Sequence, residues 1–273
     1  MPNADERAAI IDRANAKLRE LAPDTDVAIE WDGMWVCRAG SLYFPDPTMF
    51  DGAEPKWDRL LIRPQKHLGD ADDYWFHVYK PRLGDHIVDI GAGRGEDVFA
   101  FSRAVGQAGK VWAIEPHPVS FAALKKFISM NGIENVTALN YACVEHPGEL
   151  RIETLPVWES NYVRPGAASQ TSHAVAGIRF DDLCGQEGID RIDFLKMNIE
   201  GAERFALPGC GRALARARFA CVAAHDFRAA RGEGEEFRTL EFVRRFLRDA
   251  GFRLTTRDPD PRYYVPYHVH GSR

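Results

Sequence analysis

The sequence predicts an α/β fold, in which helices flank a mainly parallel sheet that ends in an antiparallel strand near the C-terminus. The main observation is an alternation that begins at His86, where near-continuous apolar segments are each followed by an amphipathic segment. Such apolar strands are typical of parallel sheets that are covered on both faces. A second observation is the pair of strand-like segments, "FRLTTR" and "YYVPYHVHG", that closes the chain. The segment before residue 73 has a different pattern.

Residues 1–72 are expected to form a small N-terminal cap that packs on the main domain, residues 73–273. Helical periodicity runs from Asp5 to Leu21 and ends before a proline. The strand-like segments "VAIEW", "MWVCRA" and "SLYF" follow, and Asp-Gly and Ala-Gly turn signals separate them. The segment "DADDYWFHVYK" then predicts a short helix that begins near Asp70 or Asp72.

The main domain is predicted element by element from the same patterns. Strands over "HIVDIG", "KVWAIEP" and "NVTALNYAC" alternate with helices over "EDVFAFSRAVG" and "PVSFAALKKFISMNG". The segments "ELRIETL" and "VAGIRF" predict two strands around a loop, and "DDLCGQEG" predicts a short helix. The segment "IDFLKMNIEGAE" predicts a strand that leads into a helix, and "RFACVAAHDF" predicts the next strand. A long helix over "EEFRTLEFVRRFLRDAG" precedes the closing antiparallel pair. Parallel strands that end in such a pair are the layout of class I methyltransferases.

The composition excludes several classes of protein. The 273 residues carry a net charge of -5, which gives no general attraction for nucleic acid or for an anionic membrane. The N-terminal segment has no apolar core of the signal-peptide type, and no apolar run reaches the roughly 18 residues of a membrane span. The five cysteines are scattered and form no C-x-x-C pair. We therefore expect a soluble cytoplasmic protein without a zinc site or a disulfide framework.

The segment "VDIGAGRGED" predicts a cofactor site. It is a strand that runs through Gly91, Gly93 and Gly95 into a helix, a context in which glycine turns hold nucleotide-like groups. Glu115 ends the next strand, where an acidic side chain suits the two hydroxyls of a ribose.

The residues after the glycine turn select the cofactor. A dinucleotide places its pyrophosphate at the helix N-terminus, where the partial positive charge of the helix attracts it. Glu96 and Asp97 occupy that first turn, and their carboxylates would repel a phosphate. S-adenosylmethionine has no phosphate and carries a cationic sulfonium and a cationic ammonium. The acids therefore favour S-adenosylmethionine over NAD.

Several segments in order resemble the FkbM-type S-adenosylmethionine-dependent methyltransferases. The resemblance covers about residues 73 to 270 and rests on "DYWFHVYKPRLGDHIVDIGAGRGED", "GKVWAIEPHPVSFAALKKFISMNGIENVTALNYACVEHPGEL", "RFDDLC", "IDRIDFLKMNIEGAERFALPGC" and "YYVPYHVHG". It implies O-methylation of a hydroxyl group, often of a sugar or a natural product, although some relatives act on other small-molecule or peptide groups.

The resemblance also implies which residues hold S-adenosylmethionine. The family's usual "KIDVEG" is "KMNIEG" here, so that Asn198 stands where an aspartate is frequent. Asn198 is placed among both the cofactor-binding and the catalytic candidates. The other implied contacts are Asp89, Gly91, Ala92 and Gly93 around the methionine part, Glu115 with Pro116 and His117 at the ribose, and Asn140, Ala142 and Cys143 near the adenine.

The candidates for chemistry come from the carboxyl ends of the predicted strands, where sites of open α/β sheets lie. Methyl transfer to an alcohol needs an aligned nucleophile and removal of its proton. His225 is the candidate base, because histidine titrates near neutral pH. Glu200 is a second base or orients the substrate. The alternatives are a buried structural histidine at 225 and a helix cap at 200.

A divalent cation such as Mg²⁺ is an alternative activator. Asn198, Glu200 and Asp226 could supply the oxygen ligands that hard cations prefer. One amide and two scattered acids are a weak pattern, and no residue is assigned as a metal ligand.

The acceptor is expected to be a small molecule. Residues 158–173 contain Trp, Asn, Tyr and Arg side chains that could bind a polar ring, or they form a surface loop. Tyr74 and Trp75 either line the pocket or pack the cap on the sheet. The leading function is O-methylation of a hydroxyl on a sugar or specialised metabolite. The alternatives are N-methylation of a peptide or amide nitrogen and a non-catalytic cofactor-binding protein. RNA is disfavoured, and a homodimer is possible.

Overall fold

The computed structural model describes residues 2–51, 55–153 and 172–273, and its strands follow the predicted order. In chain order they are β1 (Val27–Trp31), β2 (Trp35–Ala39), β3 (Leu42–Pro45), β4 (His86–Ile90), β5 (Lys110–Ile114), β6 (Val136–Leu139), β7 (Ala142–Cys143), β8 (Gly148–Glu153), β9 (Ser172–Ile178), β10 (Ile192–Met197), β11 (Ala217–Ala223), β12 (Arg253–Thr255) and β13 (His268–Ser272).

The helices flank these strands. In chain order they are α1 (Ala4–Leu21), α2 (Trp57–Leu61), α3 (Arg63–Asp70), α4 (Glu96–Val105), α5 (Pro118–Met130), α6 (Phe180–Glu187), α7 (Glu203–Ala206), α8 (Gly211–Arg216), α9 (Asp226–Ala230) and α10 (Leu240–Asp249). Within the described ranges, no helix combines the length and the apolar character needed to cross a lipid bilayer.

The central sheet has the order β12-β13-β11-β10-β4-β5-β6. β4 is parallel to β5 and β10, whereas β13 is antiparallel to both β11 and β12. This confirms the predicted mainly parallel sheet with an antiparallel C-terminal strand. The register pairs Ile90 with Ile114 and with Met197, so these three strands end at the same edge. The segments that follow them meet above that edge.

The third predicted strand is wrong in one respect. "NVTALNYAC" is not continuous: β6 ends at Leu139, and β7 joins a separate sheet of order β7-β9-β8. The break has a local cause, because the Asn140 side chain donates hydrogen bonds to the carbonyls of Glu115 and Pro116, at 2.8 and 3.1 Å. The turn that Asn140 makes directs Tyr141 over the end of the sheet. Of the predicted loop 158–173, only Ser172 and His173 lie within the described residues.

The cap packs on helices α4 and α5. Its apolar side chains, among them Trp35 and Phe44, share one core with Phe99 and Phe127. A polar link reinforces the contact, since the buried Arg94 of the glycine turn forms an ion pair with Asp46 and donates to Thr48 Oγ1 at 2.8 Å. The cap is therefore held against the glycine turn itself. The domain boundary at residue 72 stays a prediction.

The helix predicted from Asp70 begins earlier. Helices α2 and α3 occupy most of residues 57–70, and a π-helical turn continues the chain over Ala71–Trp75. Pro64 lies in the first turn of α3, where its missing N–H costs no hydrogen bond. The prediction overlooked this segment, and it places a row of cationic side chains beside the site.

Candidate active site

A cavity of about 650 Å³ lies where the carboxyl ends of the parallel strands meet the cap. This volume falls in the range of roughly 300–1,000 Å³ that small-molecule sites occupy. Two walls face each other across it. The sheet wall consists of Gly91, Ala92, Gly93, Glu96, Asp97, Glu115, Pro116, Tyr141, Ala142, Cys143, Lys196, Asn198 and Glu200. The cap wall consists of Asp46, Thr48, Met49, Lys56, Arg59, Leu60, Arg63, Lys66, His67 and Asp70.

Gly91 begins the glycine turn at a point where the chain admits no side chain. Its φ is +83°, and a Cβ atom would lie 1.9 Å from the carbonyl oxygen of Asn198. The Asn198 N–H in turn donates to the carbonyl of Ile90 at 3.0 Å. The backbones after β4 and β10 therefore touch at this point. Both residues line the cavity.

Glu115 fastens the glycine turn to the end of β5. One carboxylate oxygen accepts from the Gly93 N–H at 2.9 Å, and the other accepts from the His117 N–H at 2.8 Å. Burial raises the pKa of this carboxyl to about 7, against the lowering effect of the two backbone donors. Glu115 lies on the sheet wall beside Pro116, where the predicted ribose contact would form.

Lys196 joins two acids beneath the turn. Its Nζ lies 2.7 Å from Asp89 Oδ1 and 3.3 Å from Asp97 Oδ2, and it donates to the Gly91 carbonyl at 2.8 Å. Burial lowers the pKa of Lys196, but Asp89 and Asp97 outweigh this and raise it above its ordinary value. Asp89 is itself completely buried behind the lysine. Its predicted contact with the methionine part stays a prediction, and its observed role is to hold Lys196.

The candidate catalytic residues Glu200 and His225 are in direct contact. His225 Nε2 lies 3.2 Å from Glu200 Oε1, and Nδ1 lies 2.9 Å from Glu203 Oε1. Arg228 Nη1 donates to the second Glu200 oxygen at 2.9 Å. Glu200 is on the cavity wall, at a φ of +55° that residues other than glycine rarely adopt. The carboxylate is thus held at the cavity from two sides.

The surroundings of His225 count against its predicted role as the base. Burial lowers the pKa of the imidazole, but the two carboxylates outweigh this and raise it to about 10. A histidine that is already protonated at neutral pH cannot take a proton from the acceptor. Burial raises the pKa of Glu200, whereas His225 and Arg228 outweigh it and lower that pKa. Of these two residues, Glu200 is therefore the one that can accept a proton, and His225 contacts its carboxylate.

The residues named for a metal ion do not come together. Asp226 lies at the start of α9 and accepts from the N–H groups of Thr239 and Leu240, at 2.8 and 2.7 Å. Glu200 is engaged by His225 and Arg228. Over the described ranges, no group of three His, Cys, Asp or Glu side chains is arranged to hold a metal ion. The donor set thus gives the Mg²⁺ alternative no support.

The two aromatic residues before the sheet pack the fold. The Tyr74 hydroxyl lies 2.7 Å from the Tyr264 hydroxyl, and its ring stacks on His268 at 5.8 Å. Trp75 is buried, with Lys196 Nζ 5.1 Å from its ring centroid. These contacts agree with the interpretation that Tyr74 and Trp75 pack against the sheet.

The cap wall is the part of the site that the sequence prediction missed. Lys56, Arg59, Arg63 and Lys66 all line the cavity. Their spacing of three, four and three residues is typical of one helix face, and the structure divides them between Lys56 before α2, Arg59 in α2, and Arg63 and Lys66 in α3. This spacing was overlooked in the sequence because α2 and α3 were not predicted.

The sheet wall suits S-adenosylmethionine. A Cβ would fill the cradle at Gly91, which shows that the site needs the backbone itself at its surface. Glu96 and Asp97 face the cavity from the first turn of α4, where they would repel a phosphate and accommodate a cationic group. Pro116, Tyr141, Ala142 and Cys143 give an adjoining, mostly apolar surface for a base. Asn140 borders this surface and is tied to the carbonyl of Glu115.

Comparison with known proteins identifies the family and the fold. A profile of the Methyltransferase FkbM domain matches residues 89–254, more than half of the 273 residues. Over 57 residues the chain is 35% identical to a protein-L-isoaspartate O-methyltransferase of Methanococcus maripaludis, covering 21% of this chain and 27% of that protein. The crystal structure of Methyltransferase FkbM from Methylobacillus flagellatus is similar with a TM-score of 0.51 at 16% identity, covering 80% of this chain and 52% of that one.

A S-adenosylmethionine-dependent methyltransferase from Aquifex aeolicus gives a TM-score of 0.43 at 17% identity, covering 77% of this chain and 96% of that one. The chain spans about half the length of the Methylobacillus protein. The likeness to that protein shows that the predicted class I methyltransferase fold is correct. Since the family profile extends from the start of the glycine turn to β12, the chain belongs to the FkbM methyltransferase domain family.

Proposed function

We propose that this protein is a S-adenosylmethionine-dependent methyltransferase that methylates a hydroxyl group of a small acceptor, such as a sugar or a specialised metabolite. The observation that carries the proposal is the position of Glu200. Its ionised carboxylate lies on the same cavity wall as the glycine turn and Glu115, and His225 and Arg228 fix both of its oxygens. Cofactor and acceptor share one cavity of about 650 Å³, which favours a small acceptor.

S-adenosylmethionine, when bound, supplies an electrophilic methyl group on a positively charged sulfur. Glu200 accepts a hydrogen bond from the acceptor hydroxyl and so turns an oxygen lone pair toward that methyl carbon. The hydroxyl proton would become far more acidic as its oxygen bonds the methyl carbon, the carbon–sulfur bond breaks and S-adenosylhomocysteine leaves. A weakly basic carboxylate is then sufficient to take the proton.

His225 and Arg228 keep Glu200 in place for this step. Glu200 has a backbone φ of +55°, a strained conformation that persists only when neighbouring contacts hold the residue in place. His225 and Arg228 contact its carboxylate and so act as positioning residues. Asn198, whose backbone touches Gly91, lies on the wall between the cofactor cradle and Glu200. Its amide can orient either group without adding charge.

Calorimetric titration tests the cofactor assignment. We expect S-adenosylmethionine to bind and NADH not to bind, because the acids of α4 repel a pyrophosphate. Binding of NADH alone would overturn the proposal.

Methyl transfer to a panel of sugars, aromatic alcohols and short peptides tests the acceptor class. With the active acceptor, Glu200→Gln should lower turnover about 100-fold or more while cofactor affinity is kept. Glu187→Gln, an exposed acid on α6, is the matched control and should be silent. Full turnover by Glu200→Gln would remove Glu200 from the mechanism. Transfer only to amide nitrogens would replace O-methylation by N-methylation.

A further inference from the structure

The charged side chains that line the cavity differ in whether they have partners. Five wall acids have a cationic side-chain partner, and Glu115 accepts from two backbone N–H groups. The five pairs are Asp46 with Arg94, Asp70 with Lys66, Glu96 with Arg63, Asp97 with Lys196, and Glu200 with Arg228. Each acid that lines the cavity thus has a partner, but Lys196 is shared with Asp89 and Arg228 is shared with Glu233.

Two cations of the cap wall remain. Lys56 and Arg59 line the cavity and are exposed. Within residues 2–51, 55–153 and 172–273, no carboxylate lies within ion-pair distance of either side chain. Lys56 is the residue before α2 and Arg59 lies within that helix, so the two cations are three residues apart in the chain. In the described part of the chain, Lys56 and Arg59 are therefore the cavity cations that no carboxylate neutralises.

The reacting end of S-adenosylmethionine is cationic and would not be stabilised by Lys56 and Arg59. Its sulfonium and ammonium are cationic and suit the acidic sheet wall, where Glu96 and Asp97 lie. Only its terminal carboxylate could attract Lys56 or Arg59. An acceptor, by contrast, must enter from the side of the cavity that the cofactor leaves open. An arginine fork and a lysine ammonium are the side chains that bind phosphate and carboxylate oxygens most strongly.

We propose that Lys56 and Arg59 form an anion subsite for the acceptor, so that the substrate of this enzyme carries a phosphate or carboxylate group. This rests on the proposed function. The subsite fixes the acceptor by its anionic end and leaves its hydroxyl free to reach Glu200. The neighbouring Arg63 and Lys66 already have carboxylate partners and contribute less.

The test uses the full chain at low salt, saturated with S-adenosylhomocysteine, and titrates inorganic phosphate and, separately, acetate. We expect at least one of the two probes to bind. The double variant K56Q/R59Q should weaken that binding about tenfold or more, because two charge-assisted contacts are lost. The variant K17Q/R19Q removes the same charge from helix α1, away from the cavity, and should bind the probe as the wild type does. The stronger probe tells whether the natural group is a phosphate or a carboxylate.

Three outcomes would overturn the subsite. The first is that the wild type binds neither probe. The second is that K17Q/R19Q weakens binding as much as K56Q/R59Q, which would mean a general effect of charge. The third is that K56Q/R59Q weakens S-adenosylhomocysteine and leaves the probes unchanged, which would assign both cations to the cofactor carboxylate. Failure of S-adenosylhomocysteine to bind the wild type would instead contradict the proposed function, and the anion titrations are then repeated without it.

Discussion

The lysine–aspartate pairs at the two walls of the cavity differ in how deeply they are buried. On the sheet wall, the side chains of Lys196 and Asp89 are 1% and 0% exposed and 2.7 Å apart. On the cap wall, the side chains of Lys66 and Asp70 are 35% and 26% exposed, and Lys56 and Arg59 have no carboxylate partner in the described part of the chain. The sheet wall is therefore fixed before any ligand arrives. The long, exposed side chains of the cap wall can change rotamer when a ligand binds.

The difference follows from the cost of burial. A charge removed from water needs a partner at close range, and losing that partner costs several kcal/mol. A charge at the surface is screened by water, so its pair contributes little and breaks easily. A cofactor that is the same in every turnover suits the first arrangement. An acceptor that enters and leaves suits the second.

The largest expected effect is at Gly91, where the sheet wall admits no side chain. Gly91→Ala should lower the free energy of unfolding by about 4 kcal/mol, since backbone strain at positive φ adds to a clash with Asn198. Gly33→Ala is the control, because Gly33 has a φ of +68° with nothing within 4 Å of the added Cβ. It should cost about 1 kcal/mol. Equal costs in urea unfolding would show that the two backbones can move apart.

Lys196 tests whether the sheet wall depends on its buried charges. Lys196→Met should lower the free energy of unfolding by about 3 kcal/mol at neutral pH, because Asp89 is left buried without its partner. The loss should shrink as the pH falls, since a protonated Asp89 no longer needs a cation. Burial already raises the pKa of Asp89 to about 6 in the presence of Lys196. A cost that is independent of pH would show that packing, and not charge, dominates.

His225 gives the sheet wall a dependence on alkaline pH. Because its folded pKa is raised to about 10, the stabilisation is fully present below the ordinary pKa near 6.5 and is lost as the pH rises through 10. The stability advantage of the wild type over His225→Gln should therefore fall by about 2 kcal/mol or more between about pH 6 and about pH 10. His146→Gln, at an exposed position, should show no such change. A constant advantage would mean that His225 is neutral in the fold.

The sequence predicts the sheet wall well and the cap wall poorly. Glu115, Asn198 and Glu200 line the cavity at the strand ends, where the rule for open α/β sheets places a site, and this rule needs only the order of the elements. Arg59 belongs to α2 and Lys56 immediately precedes it, and periodicity did not reveal this helix because it has five residues. Their place at the cavity depends on how the cap docks, which no local pattern encodes.

The role of His225 could not be predicted for a different reason. Its position at the end of β11 was correct, but its protonation state depends on Glu200 and Glu203, which approach it from another strand and helix. Spacing along the chain does not give the distance between such groups. The same limit applies to Asp89, whose burial behind Lys196 appears only in three dimensions.

The smallest expected effect is at Lys66, the counterpart of Lys196 on the cap wall. Lys66→Met removes the same charge from a lysine that also has a carboxylate partner, Asp70, one helical turn away. Because both side chains reach solvent, the free energy of unfolding should fall by less than about 1 kcal/mol. Urea unfolding at low and high salt provides the measurement, and salt should remove most of the small difference. A loss as large as that of Lys196→Met would mean that the cap wall is as rigidly organised as the sheet wall.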